Sequence, residues 1–530
     1  MYLCHKVTCI RIVSDRPQYF SEPQKAREAI MVQELLININ KTMNIPLNRQ
    51  IYDQIRKAIL SGTLHKGDIL PPSRQLAEQL EVSRSVIIQA YEQLQAEGYL
   101  IMRKGSGTFV ADNAVLHITQ SKHELNRMKV DSSLNLIDCS SKETTRNDQL
   151  SVLYDFRHGV PAWDVVPMDQ WQKSLIRTCR KATPELLGYG PVEGSLALRK
   201  EIARLLRACR SIPVQPEQIV ITTGATQALD ILARLFIKPG DQVIVEDPAH
   251  SFLRDIFHFS GAKMVPVPVD KQGLQVDQIN NLVMPQQQGT GPAKLVYVTP
   301  SHQFPTGVTL SLERRLELLE WAEREGAYIV EDDYDSEYRY VGKKVSALAG
   351  LDVSGRIVYV GSFSKILFPA LRIGYAVLPH ALLKPFLSIK QITDRMTPSI
   401  EQEALADFIR NGQYAKHVNH MGKMYAAKRS ALILALEREF GEKVRYFGDQ
   451  AGLHLLIEID SSASEETIAA RALHYGVRVY PAGGYFAGNK RDNPTFVLGY
   501  SNLSEEQIDM GIRCFAQAEI ECASREVITV

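Results

Sequence analysis

A chain of 530 residues exceeds what one hydrophobic core supports and calls for at least two domains. Its 61 basic and 60 acidic residues nearly cancel, which excludes a globally basic nucleic-acid binder and confines any such contact to a local patch. The seven cysteines are irregularly spaced and include no CxxC pair, which argues against a disulfide framework or a structural zinc site and for a reducing, cytoplasmic setting without metal.

Residues 1–44 read as a disordered leader or a start-site extension. The opening MYLCHKVTCIRIV interrupts its apolar stretch with charged and polar groups, unlike a signal peptide, and no segment has the composition of a bilayer span. From Leu47 the pattern becomes helical, with Ile51, Ile55, Ile59 and Leu60 on one face until Gly62 and Gly67 break it. Ser73 is placed to cap a second short helix over Leu76, Ala77 and Leu80. After a tight connection at Glu81 to Ser83, a third helix is expected from Arg84 to about Ala96, turning Val86, Ala90 and Leu94 inward and stopping at Gly98. YLIMRKGSGTFVAD then supplies two short extended pieces. Helix, helix, turn, helix, hairpin is the order of a winged helix-turn-helix, assigned to residues 45–112.

The polar stretch 113–152 has weak apolar periodicity and reads as a linker. Beyond it, QIVITTG, DQVIVEDP, KLVYVTP, AYIVEDDYD and RIVYVGSFSK alternate with helical stretches. That alternation predicts an α/β domain with a mostly parallel central sheet over residues 153–520, ending in a smaller α+β lobe from about residue 400.

Ligands of parallel sheets gather at the carboxyl ends of the strands. There the chain sets Gly224, Ala225 and Thr226 at a helix start suited to a phosphate. It sets Asp332 and Tyr334 after another strand, and Ser362, Ser364, Lys365 and Arg372 after a third. A lysine behind an apolar run is costly to bury as a free ammonium. One carboxylate, one phenol, one lysine and a phosphate cradle are the groups that pyridoxal phosphate needs.

With PPSRQLAEQLEVSR, TPSHQFPTG, EDDYDSEY and SFSK in this order, residues 153–520 resemble the fold-type I aminotransferases and residues 45–112 resemble the GntR-type winged helix. That pairing resembles the MocR/GabR-type transcriptional regulators. The resemblance implies a PLP-dependent transferase fold in which Lys365 carries pyridoxal phosphate covalently. Asp332 would keep the ring nitrogen protonated, and Tyr334 would hydrogen-bond the ring hydroxyl. Arg372 and Ser362, with the Ala225–Thr226 helix start, would carry the phosphate, and Tyr189 would reach the phosphate of a partner subunit in a homodimer. His250 stands where the family stacks a tyrosine or phenylalanine on the ring. Phe304 replaces the asparagine of true aminotransferases, and Val497 occupies the slot of the arginine that clamps a substrate carboxylate. Arg254 and Arg356 are the arginines considered as substitutes.

In the winged helix, Arg84 and Ser85 at the start of the third helix suit base edges in the major groove, with Ser83 and Gln89 beside them. Arg74 and Lys104 suit phosphates of double-stranded DNA, and Gly105 lets the wing approach the backbone. A dimer would read repeated half-sites. The reading is a regulator that senses pyridoxal phosphate or an amine or amino-acid effector. The alternative is a working aminotransferase with an accessory DNA-binding arm, and Val497 separates the two.

Overall fold

The computed structural model describes residues 7–14, 31–43, 45–103, 106–111, 152–283, 285, 290–343, 345–488 and 493–526. The chain divides into two compact units, Met1–Asp138 and Cys139–Val530. Among the described residues no helix is long and apolar enough to cross a membrane.

In the first unit, α1 (Leu47–Leu60), α2 (Ser73–Leu80) and α3 (Arg84–Ala96) match the periodicity. Ile51, Ile55, Ile59, Leu76, Ile87, Ala90 and Leu94 share one buried core. Leu60 faces solvent, one helical step of about 100° beyond Ile59 and off the apolar stripe. Val86 is only partly buried, and Ile87 takes the inward position. Ser73 is the first residue of α2 rather than its cap. Pro72 holds the cap position with φ −55°, and the Ser73 hydroxyl accepts a bond from Arg84 Nε at 3.2 Å.

Residues 1–44, expected as a disordered leader, contribute β1 (Val7–Ser14) and β2 (Met31–Asn38). These strands pair antiparallel along their length, and β1 meets β3 (Ile69–Leu70) at Val13 and Ile69. The hairpin β4 (Leu100–Arg103) and β5 (Gly107–Val110) completes a sheet in the order β2-β1-β3-β5-β4. Ile37 is 1% exposed within the core of the three helices. The Gln54 side chain accepts from Asn38 N and donates to Asn38 O, both at 2.7 Å. Gln50 does the same to Asn40 at 2.9 and 3.0 Å. The overlooked signal was β-branched content: Val7, Thr8, Ile10, Ile12 and Val13 favour a strand despite the interleaved Arg11.

The second unit opens with β6 (Tyr154–Asp155). Its central sheet is built from β7 (Ile219–Thr222), β8 (Gln242–Asp247), β9 (Lys263–Asp270), β10 (Gly273–Leu274), β11 (Ala293–Val298), β12 (Tyr328–Asp333), β13 (Ile357–Ser362) and β14 (Gly374–Val377). The order is β10-β9-β8-β11-β12-β13-β14-β7, with β9 through β13 parallel to their neighbours within that run and β14 antiparallel to both of its own. All five strands expected from sequence are present. Pro266 and Pro268 disguised β9. They sit where β9 pairs only with β8, since β10 joins it at Val269 and Asp270, so the missing N–H groups break no ladder on the outer edge.

The smaller lobe holds β15 (Val444–Phe447), β16 (His454–Ile459), β17 (Val477–Arg478), β18 (Tyr480–Pro481) and β19 (Thr495–Gly499). Its sheet runs β15-β16-β19-β18 and packs on helices Gln413–Phe440 and Glu505–Glu526. Two features depart from the expected boundary at residue 400. Helix Ser399–Arg410 packs in the core of the large sheet, and β6 pairs with β17, bringing Phe156 and Ala162 into the core of the lobe. A two-residue strand lacks the length for a readable alternation.

Candidate functional site

Lys365 leaves the turn after β13, and burial lowers the pKa of its amine. Its Nζ donates to the carbonyl oxygen of Gly159. Gly159 has φ +70°, and a Cβ there would lie 3.0 Å from that nitrogen, so a glycine is what lets the amine approach. Asp332, at the end of β12, accepts a bond from Tyr297 Oη at 2.6 Å. Burial pushes its pKa up to about 6 against that bond and the Lys365 charge. The neighbouring Asp333 points through the opposite face of the sheet, where Arg210 Nε meets it at 2.7 Å and Tyr359 donates to it.

Gly224 and Ala225 lie beside Arg372 and Gly374, and Ser362 and Ser364 are on the neighbouring strand end. Gly224 (φ +85°) caps helix Ala225–Phe236, leaving the first N–H groups of that helix without intrahelical partners. Arg372 donates to Thr223 O at 2.9 Å, and a Cβ on Gly224 would lie 3.1 Å from its guanidinium. Gly374 pairs with Ser362 across β13 and β14, and a Cβ there would meet the Gly224 backbone at 2.7 Å. The Ser362 hydroxyl donates to the Ser364 hydroxyl at 3.0 Å and accepts from Ser364 N at 3.1 Å. Thr226 and Arg372 are exposed, so the cradle opens to solvent.

Tyr334 packs against the cluster of Phe304 and Val497 and donates to the His302 carbonyl oxygen at 2.9 Å. His250 caps helix Ser251–Phe259 through Nδ1 and packs its ring 4.9 Å from that of Phe304. Burial, then the charge of Lys365, lowers its pKa to about 4, so it is a neutral ring. Tyr189 stands apart: it is 77% exposed and stacks under Arg395 at 4.1 Å.

Sequence reasoning missed several neighbours. His158, whose pKa burial lowers to about 3, bonds Tyr485 Oη at 2.9 Å and packs against His250, Phe304 and Tyr480. His302 and Asp335 pair at 3.0 Å, and the His454 ring lies 5.0 Å from that of His302. His302 and Asp335 stood inside motifs already quoted, but nothing local marks His158 or His454. Val497 is fully buried in an apolar cluster with Phe304, Leu456 and Ala482. Arg254 donates to Gly484 O, while Arg356 lies at the opposite end of β13, over the Tyr328 ring and bonded to Gly326 O at 3.3 Å.

On the winged helix, Arg74, Ser83, Arg84, Ser85 and Gln89 are all on the surface around the start of α3. Arg74 pairs with Glu78 at 3.5 Å. Ser83 and Ser85 join hydroxyls at 2.8 Å, and Gln89 accepts from Asn48 Nδ2 at 3.2 Å, which adds the start of α1 to the face. Lys104 and Gly105 lie outside the described residues, as does nearly all of the expected linker.

Residues 157–513 match the aminotransferase class I and II family, and residues 47–110 match the bacterial regulatory proteins of the gntR family. The chain is 36% identical to the HTH-type transcriptional regulator YdeL of Bacillus subtilis, over 90% of its own length and 97% of the relative's. It is 34% identical to the probable rhizopine catabolism regulatory protein MocR of Rhizobium meliloti, over 91% and 96%. Its structure is similar to that of the kynurenine aminotransferase of Pyrococcus horikoshii, solved with PMP, with a TM-score of 0.65 and 30% identity over 70% of this chain and 91% of that one.

Proposed function

Given that the chain belongs to the MocR-type regulators, in which a GntR-family DNA-binding domain precedes a class I and II aminotransferase domain, we propose that it is a dimeric, cytoplasmic transcription regulator that holds pyridoxal phosphate on Lys365. Its effector is that cofactor, or an amine or amino acid that condenses with it. The observation that carries the reading is the convergence of Lys365, Asp332 and the Ala225 helix start at the carboxyl ends of the strands.

The residues present fit the cofactor. Gly374 lets its strand pack on the Gly224 backbone, and Gly224 leaves room for Arg372 beside the helix start, where backbone N–H groups and a guanidinium suit a phosphate. Asp332 is a buried carboxylate that, among the described residues, has no cation in direct contact, and a protonated ring nitrogen would supply one. Bound there, pyridoxal phosphate supplies a carbonyl that condenses with amines and a ring that withdraws electrons. Lys365 would hold it, and Asp332 would keep the ring proton. Ser362, Ser364, Arg372, Ala225 and Thr226 would grip the phosphate, and the neutral His250 ring would pack on the cofactor. In the dimer, exposed Tyr189 would reach the phosphate of the second subunit.

On the DNA-binding domain, Arg84, Ser85 and Gln89 would read bases, while Arg74, Ser83, Lys104 and Gly105 would hold the backbone of two half-sites. Val497 weighs against the aminotransferase alternative, because its own side chain offers a carboxylate no donor. The test is footprinting of the full-length protein on its own upstream DNA, with and without pyridoxal phosphate and candidate amines. Protection of two spaced half-sites that responds to these ligands supports the reading; protection indifferent to all of them removes the sensing role.

A further inference from the structure

Where Asp333 meets Arg210, a cavity of about 130 Å³ lies between helix Leu196–Arg210, the start of helix Gln413–Phe440 and strands β12 to β14. An apolar protein cavity of about 150 Å³ holds one molecule of benzene, so this one has room for a single small organic molecule. Cys209, Ala415 and Asn419 are the exposed residues of its lining and mark its mouth.

Four aromatic rings stand in the wall, those of Tyr359, Phe363, Tyr375 and Tyr414. The Phe363 ring lies 5.7 Å from that of Tyr375 and 5.9 Å from that of Tyr414, crossed at 49° and 79°. A wall of crossed aromatic rings is the kind that receives a cation over a ring face. Of the described residues that line the cavity, three are charged. Arg210 and Asp333 pair at 2.7 Å and cancel, and Arg210 directs further donors to Val345 O and the Ser301 hydroxyl. Glu337 therefore sets the net charge of the lining, and its carboxylate accepts from Tyr414 Oη at 3.3 Å. After burial, the Glu337 charge is the largest cause raising the pKa of both Tyr414 and Tyr375, so its field is felt along the wall. An anion would meet a net negative wall. A cation with apolar substituents suits both the rings and the carboxylate.

We propose that this cavity is a second ligand site, which binds a small organic ammonium ion between the aromatic wall and Glu337, without covalent chemistry. It shares one segment with the cofactor site: Ser362, Phe363 and Ile366, in the turn that carries Lys365, are part of its lining.

The probe is choline, whose quaternary nitrogen cannot condense with a carbonyl. Calorimetric titration of the full-length protein, once without cofactor and once after pyridoxal phosphate has been fixed on it with borohydride, should show one choline bound per chain in both states. The neutral carbon isostere of choline should bind at least about ten-fold more weakly, since it lacks the charge that the rings and Glu337 attract. Glu337→Gln, whose amide oxygen can still accept from Tyr414, should weaken choline binding about ten-fold, and Phe363→Leu about three-fold. Alkylating Cys209 at the mouth with a bulky thiol reagent should abolish binding, whereas Cys209→Ser should bind choline as the wild type does before and after the same treatment. Equal affinity for choline and its isostere, unchanged binding in Glu337→Gln, or binding that survives alkylation of Cys209 overturns the proposal. Failure of pyridoxal phosphate to attach overturns the cofactor assignment instead, because the first titration contains none.

Discussion

Gly159 and Lys365, 206 positions apart, meet through the Gly159 carbonyl and the lysine Nζ, and the glycine has room for the amine only because it lacks a side chain. Gly159→Ala puts a methyl group 3.0 Å from that nitrogen at φ +70°. A residue forced into the left-handed region costs about 1–2 kcal/mol. Gly326 is the control, since it has φ +70° with nothing within 4 Å of its Cβ position. Urea denaturation should show both alanine variants losing about 1–2 kcal/mol. Only Gly159→Ala should slow the borohydride-trapped attachment of pyridoxal phosphate to Lys365; equal trapping in both variants would contradict the contact.

Asp332 links cofactor and stability. Its folded pKa of about 6 lies above the ordinary 3.8, so the folded apoprotein binds the extra proton, and the contribution of this group to stability falls as pH rises from about 4 through about 6. Above that window the ionised carboxylate costs up to about 3 kcal/mol, at about 1.4 kcal/mol for each pKa unit. Asp332→Asn resembles the protonated acid. Without cofactor the variant should match the wild type below about pH 4 and exceed it near about pH 8, while binding pyridoxal phosphate more weakly at the higher pH. Differencing the two melting curves cancels the opposite slope from His158 and His250, whose lowered pKa values add stability as pH rises.

Val497 predicts poor turnover. Transamination needs the substrate held in near-attack geometry, and a carboxylate clamp supplies that orientation. Arg356 sits at the far end of its strand, and Arg254 is already bonded to Gly484 O. Offered α- and ω-amino acids with 2-oxoglutarate or pyruvate, the protein should change its cofactor spectrum without sustained keto-acid release. Multiple turnovers in the ordinary enzyme range of about 1–10³ per second would favour the aminotransferase alternative.

Arg84 and Arg74 should differ in kind on DNA. Arg84, held by Ser73 at the start of α3, is placed for base edges, so Arg84→Ala should cost about 1–3 kcal/mol on the specific site and relax base preference. Arg74→Ala should weaken all sequences alike and reduce the salt slope by about one. Competition assays with specific and random duplexes at several salt concentrations measure both; identical behaviour of the two variants would remove the division of roles.

Local order along the chain determined a great deal. Apolar periodicity located α1 to α3 and five strands of the large sheet, because a helix or strand with one buried face repeats at a period set by its own geometry. Motif order placed Lys365, Asp332, Arg372 and the Ala225 helix start at strand ends. Tertiary structure decided what pairing and burial decide. It gave β1 and β2 the pairing partners that their β-branched composition could not name, hid β9 behind two edge prolines, and returned Phe156 to the core of the lobe. It also set His158 beside Tyr485, 327 positions away, and seated His302 between Tyr334 and Asp335. Such contacts are products of strand order and of the space that glycines leave, and neither is a property of any short stretch of sequence.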